Sequence, residues 1–152
     1  VSIEPWSLLF ICTGNICRSP MAEGLAWNYG RQRGIPLTAT SGSTLGLEDR
    51  PAHKHAVRVM SELGMDISEH RSQPITQDLI DSADHILVME IQHAAKLRER
   101  FPSADGKIML LGTYGGLIEI ADPLGGWRRR FRKSRDEIRD CVETFIDRLP
   151  QR

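Results

Sequence analysis

The chain has 152 residues, 20 Lys+Arg against 20 Asp+Glu, and 40% hydrophobic residues. That describes one globular domain over residues 1–152, long enough to bury a real core. A formal charge of zero excludes a global field for nucleic acid or an anionic membrane, and no apolar run reaches the ~18 residues of a membrane span.

In chain order, Ser7-Leu8-Leu9-Phe10-Ile11 is a short apolar run ending at Cys12-Thr13-Gly14-Asn15, the pattern of a buried strand entering a turn. From Pro20 the period changes: Met21, Leu25 and Tyr29 recur every four residues, with Ala22 and Ala26 beside them, as on one helix face. Leu37–Thr40 reads as a second strand and Ser41-Gly42-Ser43-Thr44 as a loop. Ala52, Ala56, Met60 and Leu63 mark another helix, with Gly64 at its expected end. Thr76–Ser82 reads as a short helix, 85–89 as a strand, 90–100 as a helix and 107–111 as a fourth strand. A loop through Asp122-Pro123-Leu124-Gly125-Gly126 leads to a last helix. Its start is expected at Ser134, which forms a capping-box pattern with Glu137 ahead of Ile138, Val142, Phe145 and Ile146. Strand and helix alternate throughout. The expected fold is therefore α/β, with three layers: a four-stranded parallel sheet and helices on both faces.

The segment Cys12-Thr13-Gly14-Asn15-Ile16-Cys17-Arg18-Ser19-Pro20 carries the chemistry. A Cys and an Arg five residues apart are weak evidence alone, but here they bracket a strand-to-helix junction. Such a loop can converge its backbone N–H groups on one oxyanion, helped by the helix N-terminus. Thr13 to Ser19 then form a phosphate cradle, and Arg18 adds a planar fork suited to phosphate. The same field would favour a Cys12 thiolate, making it a nucleophile at neutral pH. Gly14 and Asn15 tolerate left-handed backbone angles, and Ser19 can donate a hydrogen bond to the sulfur.

This string resembles the signature loop of the low-molecular-weight protein tyrosine phosphatases at every position, and Met21-Ala22-Glu23 continues the match. Residues 41–44, 69–72 and 83–90 are similar to further segments of that family. The resemblance implies a phosphocysteine intermediate, no metal and no other cofactor. Its implied partner is a phosphotyrosine-bearing protein, a tyrosine kinase among the candidates, and the chain is expected to be a monomer or weak dimer. It also implies that Asp122 is the general acid and later the base. As the residue before Pro123, Asp122 is pushed into extended geometry that can aim a carboxyl group across a pocket mouth. Ser41 and His70 are expected to support the loop.

Family members usually carry aromatic residues after the Asp-Pro pair and after the second strand. Here Leu124 stands at the first place and residues 43–50 contain no aromatic, so Leu45, Leu47, Leu124 and Trp127 become the candidate pocket wall. Ile16, where phosphoarginine phosphatases tend to carry Thr, leans towards phosphotyrosine. Two alternatives share the fold: phosphoarginine hydrolysis, and arsenate reduction, which is disfavoured because 82–100 lacks relay cysteines. A catalytically idle phosphoprotein-binding module would need neither a nucleophile nor an acid.

The three cysteines are too few for a disulfide framework, which points to a reducing, cytoplasmic setting. Cys17 could close a reversible disulfide with Cys12, while Cys141 lies on an apolar helix face as a core thiol. None of His53, His55, His70, His85 and His93 has metal-ligand spacing, and His53 and His55, two apart on a helix, should not share a face. The one charge run, Arg128–Arg135, is either a solvated face or a rim attracting acidic phosphoprotein.

Overall fold

A computed structural model describes residues 4–152. Four strands, β1 (Trp6–Cys12), β2 (Leu37–Ser43), β3 (His85–Val88) and β4 (Ile108–Leu110), form one sheet in the order β2-β1-β3-β4. Every pairing is parallel. The helices are α1 (Arg18–Arg33), α2 (Lys54–Ser61), α3 (Gln77–Ser82), α4 (Ile91–Arg100) and α5 (Arg128–Asp147). Short 3-10 turns flank β4 on both sides.

Successive strand residues point to opposite faces, and β1 shows the consequence. Leu8, Phe10 and Cys12 face α1, α2 and α5 in one apolar cluster, while Leu9 and Ile11 join Ile80, Ile86, Val88 and Leu97 in the other. With both faces covered, β1 reads as continuous hydrophobicity rather than alternation. Helix α1 presents Met21, Ala22, Leu25 and Ala26 to the first cluster, all 3% exposed or less. Burying each of the two larger side chains is worth about 1.5–3 kcal/mol. The helix ends at Gly34, whose φ of +67° makes the left-handed cap that turns the following Ile35 N–H onto the Gly30 carbonyl at 2.8 Å.

Strand β1 has β2 on one side and β3 on the other, so the connections leaving β1 and β2 diverge. The crevice beyond the carboxyl end of β1 is thus the switch point where open α/β sheets bind ligands. Cys12 is the last residue of β1.

Three expectations are corrected. Helix α5 begins at Arg128, not at Ser134; Ser134 is buried in its interior and its hydroxyl has no partner among the described residues. The apolar stripe begins one turn earlier, at fully buried Phe131, and Glu62 ties Arg132 and Arg135 to α2, so the basic run is helical. Strand β2 continues through Ser41-Gly42-Ser43, because pairing with Phe10–Cys12 outweighs a composition that suits a loop. His53 precedes α2 as its cap, its Nδ1 accepting from the His55 N–H at 3.1 Å, which brings the two rings to 5.2 Å.

Candidate active site

Between β1 and α1 the chain folds into a tight cradle over residues 12–18. Asn15 adopts a φ of +57° within the turn, and its N–H donates to Cys12 Sγ at 3.3 Å. The Asn15 side chain is oriented by its surroundings. Its Oδ1 accepts from the Gln73 N–H at 3.0 Å, so Nδ2 faces Ser19 Oγ at 2.8 Å and donates to it. Ser19 is then left with its single hydrogen for Cys12 Sγ, 3.0 Å away. The sulfur thus receives two donors, an arrangement suited to an anionic sulfur.

The cradle is braced from outside. His70 Nε2 donates to the Asn15 carbonyl at 2.7 Å, fixing the ring's tautomer, and the His53 N–H donates to the Ile16 carbonyl at 2.8 Å. Ser43 Oγ donates to the Thr13 carbonyl at 2.7 Å. Ser41, expected in that bracing role, instead donates to Glu23 Oε1 at 2.7 Å. Register along the strand explains the exchange: the two serines share a face, but Ser43 pairs with Cys12 at the strand end, whereas Ser41 lies two residues back, beside Glu23 of α1.

Arg18 is 1% exposed and divided in its contacts. One terminal nitrogen donates to Glu90 Oε2 and to the Ile120 carbonyl, the latter at 2.7 Å. The other lies 3.6 Å from Asp122 Oδ2, and Nε is buried without a partner among the described residues. A buried N–H left unpaired is costly. An oxyanion above Cys12 would supply that partner, with Nε and the second terminal nitrogen forming the fork.

Glu90, at the carboxyl end of β3, anchors the guanidinium. Burial pushes its carboxyl up, but hydrogen bonds from Gln92 and Arg18 outweigh this and hold it below the usual range. Asp122 sits across the cavity with Oδ1 accepting from the Leu124 N–H at 3.0 Å. The cavity holds about 130 Å³ and is lined by the cradle together with Leu45, Leu47, Asp122 and Leu124. Trp127 is not on its wall; 84% exposed, it stands 6.5 Å from the His55 ring. Trp127 follows the turn at Gly125 and Gly126 and opens α5 just outside the cavity lining. A larger groove, about 420 Å³ over Pro20, Glu23, Trp27 and His70, contains no nucleophile. Cys17 is also buried, and burial first, then the neighbouring Cys12, pushes its thiol up to about 12. Among the described residues no cluster of three or more His, Cys, Asp or Glu is placed to hold a metal ion. No helix among them is long and apolar enough to cross a membrane.

Sequence reasoning passed over Glu90, His93, Ser43 and Gln73. Glu90 could have been found as an acidic residue at the carboxyl end of a buried strand. The others touch the site only through the fold. His93 is fully buried; its Nδ1 accepts from the Glu90 N–H at 3.1 Å and its Nε2 lies 2.9 Å from Thr13 Oγ1. The ring must therefore stay neutral, with its proton on Nε2. Burial first, then the Arg18 charge, lowers its pKa to about 4. Because the folded value lies below the unfolded 6.5, the unfolded chain takes the proton first. Stability from His93 is complete above pH 6.5 and is lost as pH falls towards 4, by about 3 kcal/mol. Urea unfolding from pH 7.5 to 4.5 should show this loss, and His93→Asn, which keeps an acceptor for the Glu90 N–H, should flatten that part of the curve. Parallel curves would contradict it.

Comparison with known proteins agrees with this geometry. The family model described as low molecular weight phosphotyrosine protein phosphatase matches residues 7–152. A protein-arginine-phosphatase of Geobacillus stearothermophilus is 39% identical, over 97% of this chain and 96% of that protein. A probable low molecular weight protein-tyrosine-phosphatase, EpsP, of Ralstonia nicotianae is 35% identical, over 94% and 95%. A solved YwlE arginine phosphatase, with serine in place of an active-site cysteine and that serine phosphorylated, superposes with a TM-score of 0.90 at 30% identity, covering 94% of this chain and 95% of that one. Family match, near-complete coverage and a shared four-stranded fold lead to one conclusion: this chain belongs to the low molecular weight phosphotyrosine protein phosphatases, a family of hydrolases.

Proposed function

We propose that this protein hydrolyses phosphotyrosine in a protein substrate through a phosphocysteine at Cys12. The carrying observation is the Arg18 fork: anchored on one nitrogen by Glu90, with a buried Nε that has no partner among the described residues, on a side chain that lines one cavity with Cys12. Cys12 Sγ attacks phosphorus while the S–P bond forms and the P–O bond to the leaving oxygen breaks. Asp122 gives that oxygen its proton, then takes one from the water that cleaves the S–P bond and releases phosphate. A phenolate conjugate to an acid of pKa ~10 leaves poorly unless protonated, which is why the reaction needs Asp122. Three free cysteines suit a reducing, cytoplasmic setting.

A second reading has a specific observation behind it. Leu45, Leu47 and Leu124 line the cavity with no aromatic ring to stack on a tyrosine, so a phosphoarginine side chain is the competing substrate. Metal-free turnover of matched phosphotyrosine and phosphoarginine peptides, with phenyl phosphate as reference, tests both readings. A kcat/KM for phosphoarginine above that for phosphotyrosine would overturn the first.

Asp122→Asn is expected to lower kcat/KM on phenyl phosphate, which reports the step that breaks the P–O bond, by about 10²–10⁴. The loss should shrink for nitro-substituted aryl phosphates, whose leaving groups need less protonation. Equal losses across the series would remove Asp122 from the acid role.

A further inference from the structure

The basic run at the start of α5 separates into two halves that the sequence does not distinguish. Arg132 and Arg135 converge on Glu62, with nitrogen–oxygen distances of 2.6 and 2.8 Å, and fasten α5 to α2. Arg128, Arg129, Arg130 and Lys133 are exposed and form no ion pair among the described residues. Ion pairing accounts for the charges of the first half and leaves those of the second without an acidic partner among the described residues, although the Arg130 stem lies against Gly126.

The unpaired half lies beside the cavity mouth. The Gly126 N–H donates to the Pro123 carbonyl at 2.9 Å, closing a turn whose ends lie within ~7 Å. Trp127 and Arg128 therefore begin next to Asp122 and Leu124. On the other side, the His53 ring stacks on Phe131 at 4.7 Å while the His53 N–H holds the cradle at Ile16. Leu45, Leu124 and Trp127, at 62%, 53% and 84%, are exposed apolar side chains along this edge. A basic, partly apolar shelf thus continues outward from the phosphate site.

We infer that the shelf formed by Trp127, Arg128, Arg129 and Arg130 docks an acidic segment flanking the phosphorylated residue of the protein substrate. The inference rests on the phosphatase reading, because continuity with the cavity is what makes the occupant a stretch of substrate chain. Charge complementarity gives its sign. With a net charge of zero over the whole chain, the attraction is local, reaching about 8 Å at physiological salt. Such rim charges act on association and on salt dependence.

The test compares phosphopeptides with Asp/Glu or Lys flanks on wild type and on Arg128→Glu/Arg129→Glu. Phenyl phosphate reports the chemistry independently. A control, Arg31→Glu/Arg33→Glu, makes the same charge change at the far end of α1, roughly 20 Å from the cradle. At low salt, the wild type should favour the acidic peptide, and the rim variant should lose about tenfold of that preference. Phenyl phosphate turnover and the control's preference should not change, and 0.5 M salt should close the gap. Fluorescently labelled peptides titrated against the Cys12→Ser protein and its rim variant read the same difference in binding, so docking is measured whether or not phenyl phosphate is turned over. Absence of turnover would count against the phosphatase reading; equal binding and equal rates for both peptides would overturn the docking shelf. Wild type that sediments with phosphatidylserine vesicles, without discriminating between the peptides, would overturn it in favour of a membrane surface.

Discussion

Cys12→Ser should abolish turnover of phenyl phosphate, with kcat falling by at least about 10⁴, while the fold and phosphate binding survive. The sulfur ends β1 and receives the Asn15 N–H and the Ser19 hydroxyl, so it stands at the floor of the cradle with its donors already placed. Serine fits the same volume and accepts the same hydrogen bonds, but its hydroxyl must lose a proton to attack, and no base stands within hydrogen-bond reach of Cys12 among the described residues. The residual binding capacity is the informative part. Inorganic phosphate should still raise the unfolding midpoint of the variant, because Arg18 and the loop amides remain. Metal-free kinetics and thermal unfolding with phosphate provide the check. Turnover within tenfold of wild type would transfer the nucleophile's role elsewhere.

Arg18→Lys should cost about 10²–10³ in kcat even though the positive charge is retained. The guanidinium performs two tasks with separate nitrogens: one holds Glu90 and the Ile120 carbonyl, while Nε and the other terminal nitrogen face the cavity. A lysine ammonium is a point charge on a flexible stem and cannot do both at once. If it pairs with Glu90, the transferring phosphoryl group loses its fork. If it turns to the phosphate, Glu90 is left unpaired. Breaking a buried pair by removing one partner costs about 3–5 kcal/mol; here Glu90 is 21% exposed, so the lower end is expected. Steady-state kinetics alongside urea unfolding separate the two effects. A lysine variant with both wild-type kcat and wild-type stability would show that the divided contact carries neither task.

Much of this protein is written in local pattern. The continuous apolar run of β1, the four-residue repeat of Met21 and Leu25, and the short helix read over Thr76–Ser82 each report a neighbourhood a few residues wide, and the structure holds all three, the last as α3 over Gln77–Ser82. The misplaced start of α5 shows the limit. Ser134 and Glu137 form a plausible cap by themselves, but Glu62 at the end of α2 ties Arg132 and Arg135, and buried Phe131 carries the stripe a turn further. Similarly, Ser43 supplanted Ser41 because strand register, invisible in composition, places Ser43 opposite Cys12.

The same division runs through the site. Cys12 to Ser19 form one continuous string at a strand-to-helix junction, so nucleophile, fork and cradle can be read before any folding is considered. Balanced charge does not conflict with phosphate binding, since backbone amides and one buried arginine supply the field. Contacts spanning 72 residues from Arg18 to Glu90, 80 from Thr13 to His93 and 58 from Asn15 to Gln73 belong to the tertiary structure alone. Short-range order follows from steric and hydrophobic periodicity along the chain. The anchoring of Arg18, the neutral His93 and the division of the basic run follow from which distant groups parallel β-pairing and helix packing bring within hydrogen-bond reach.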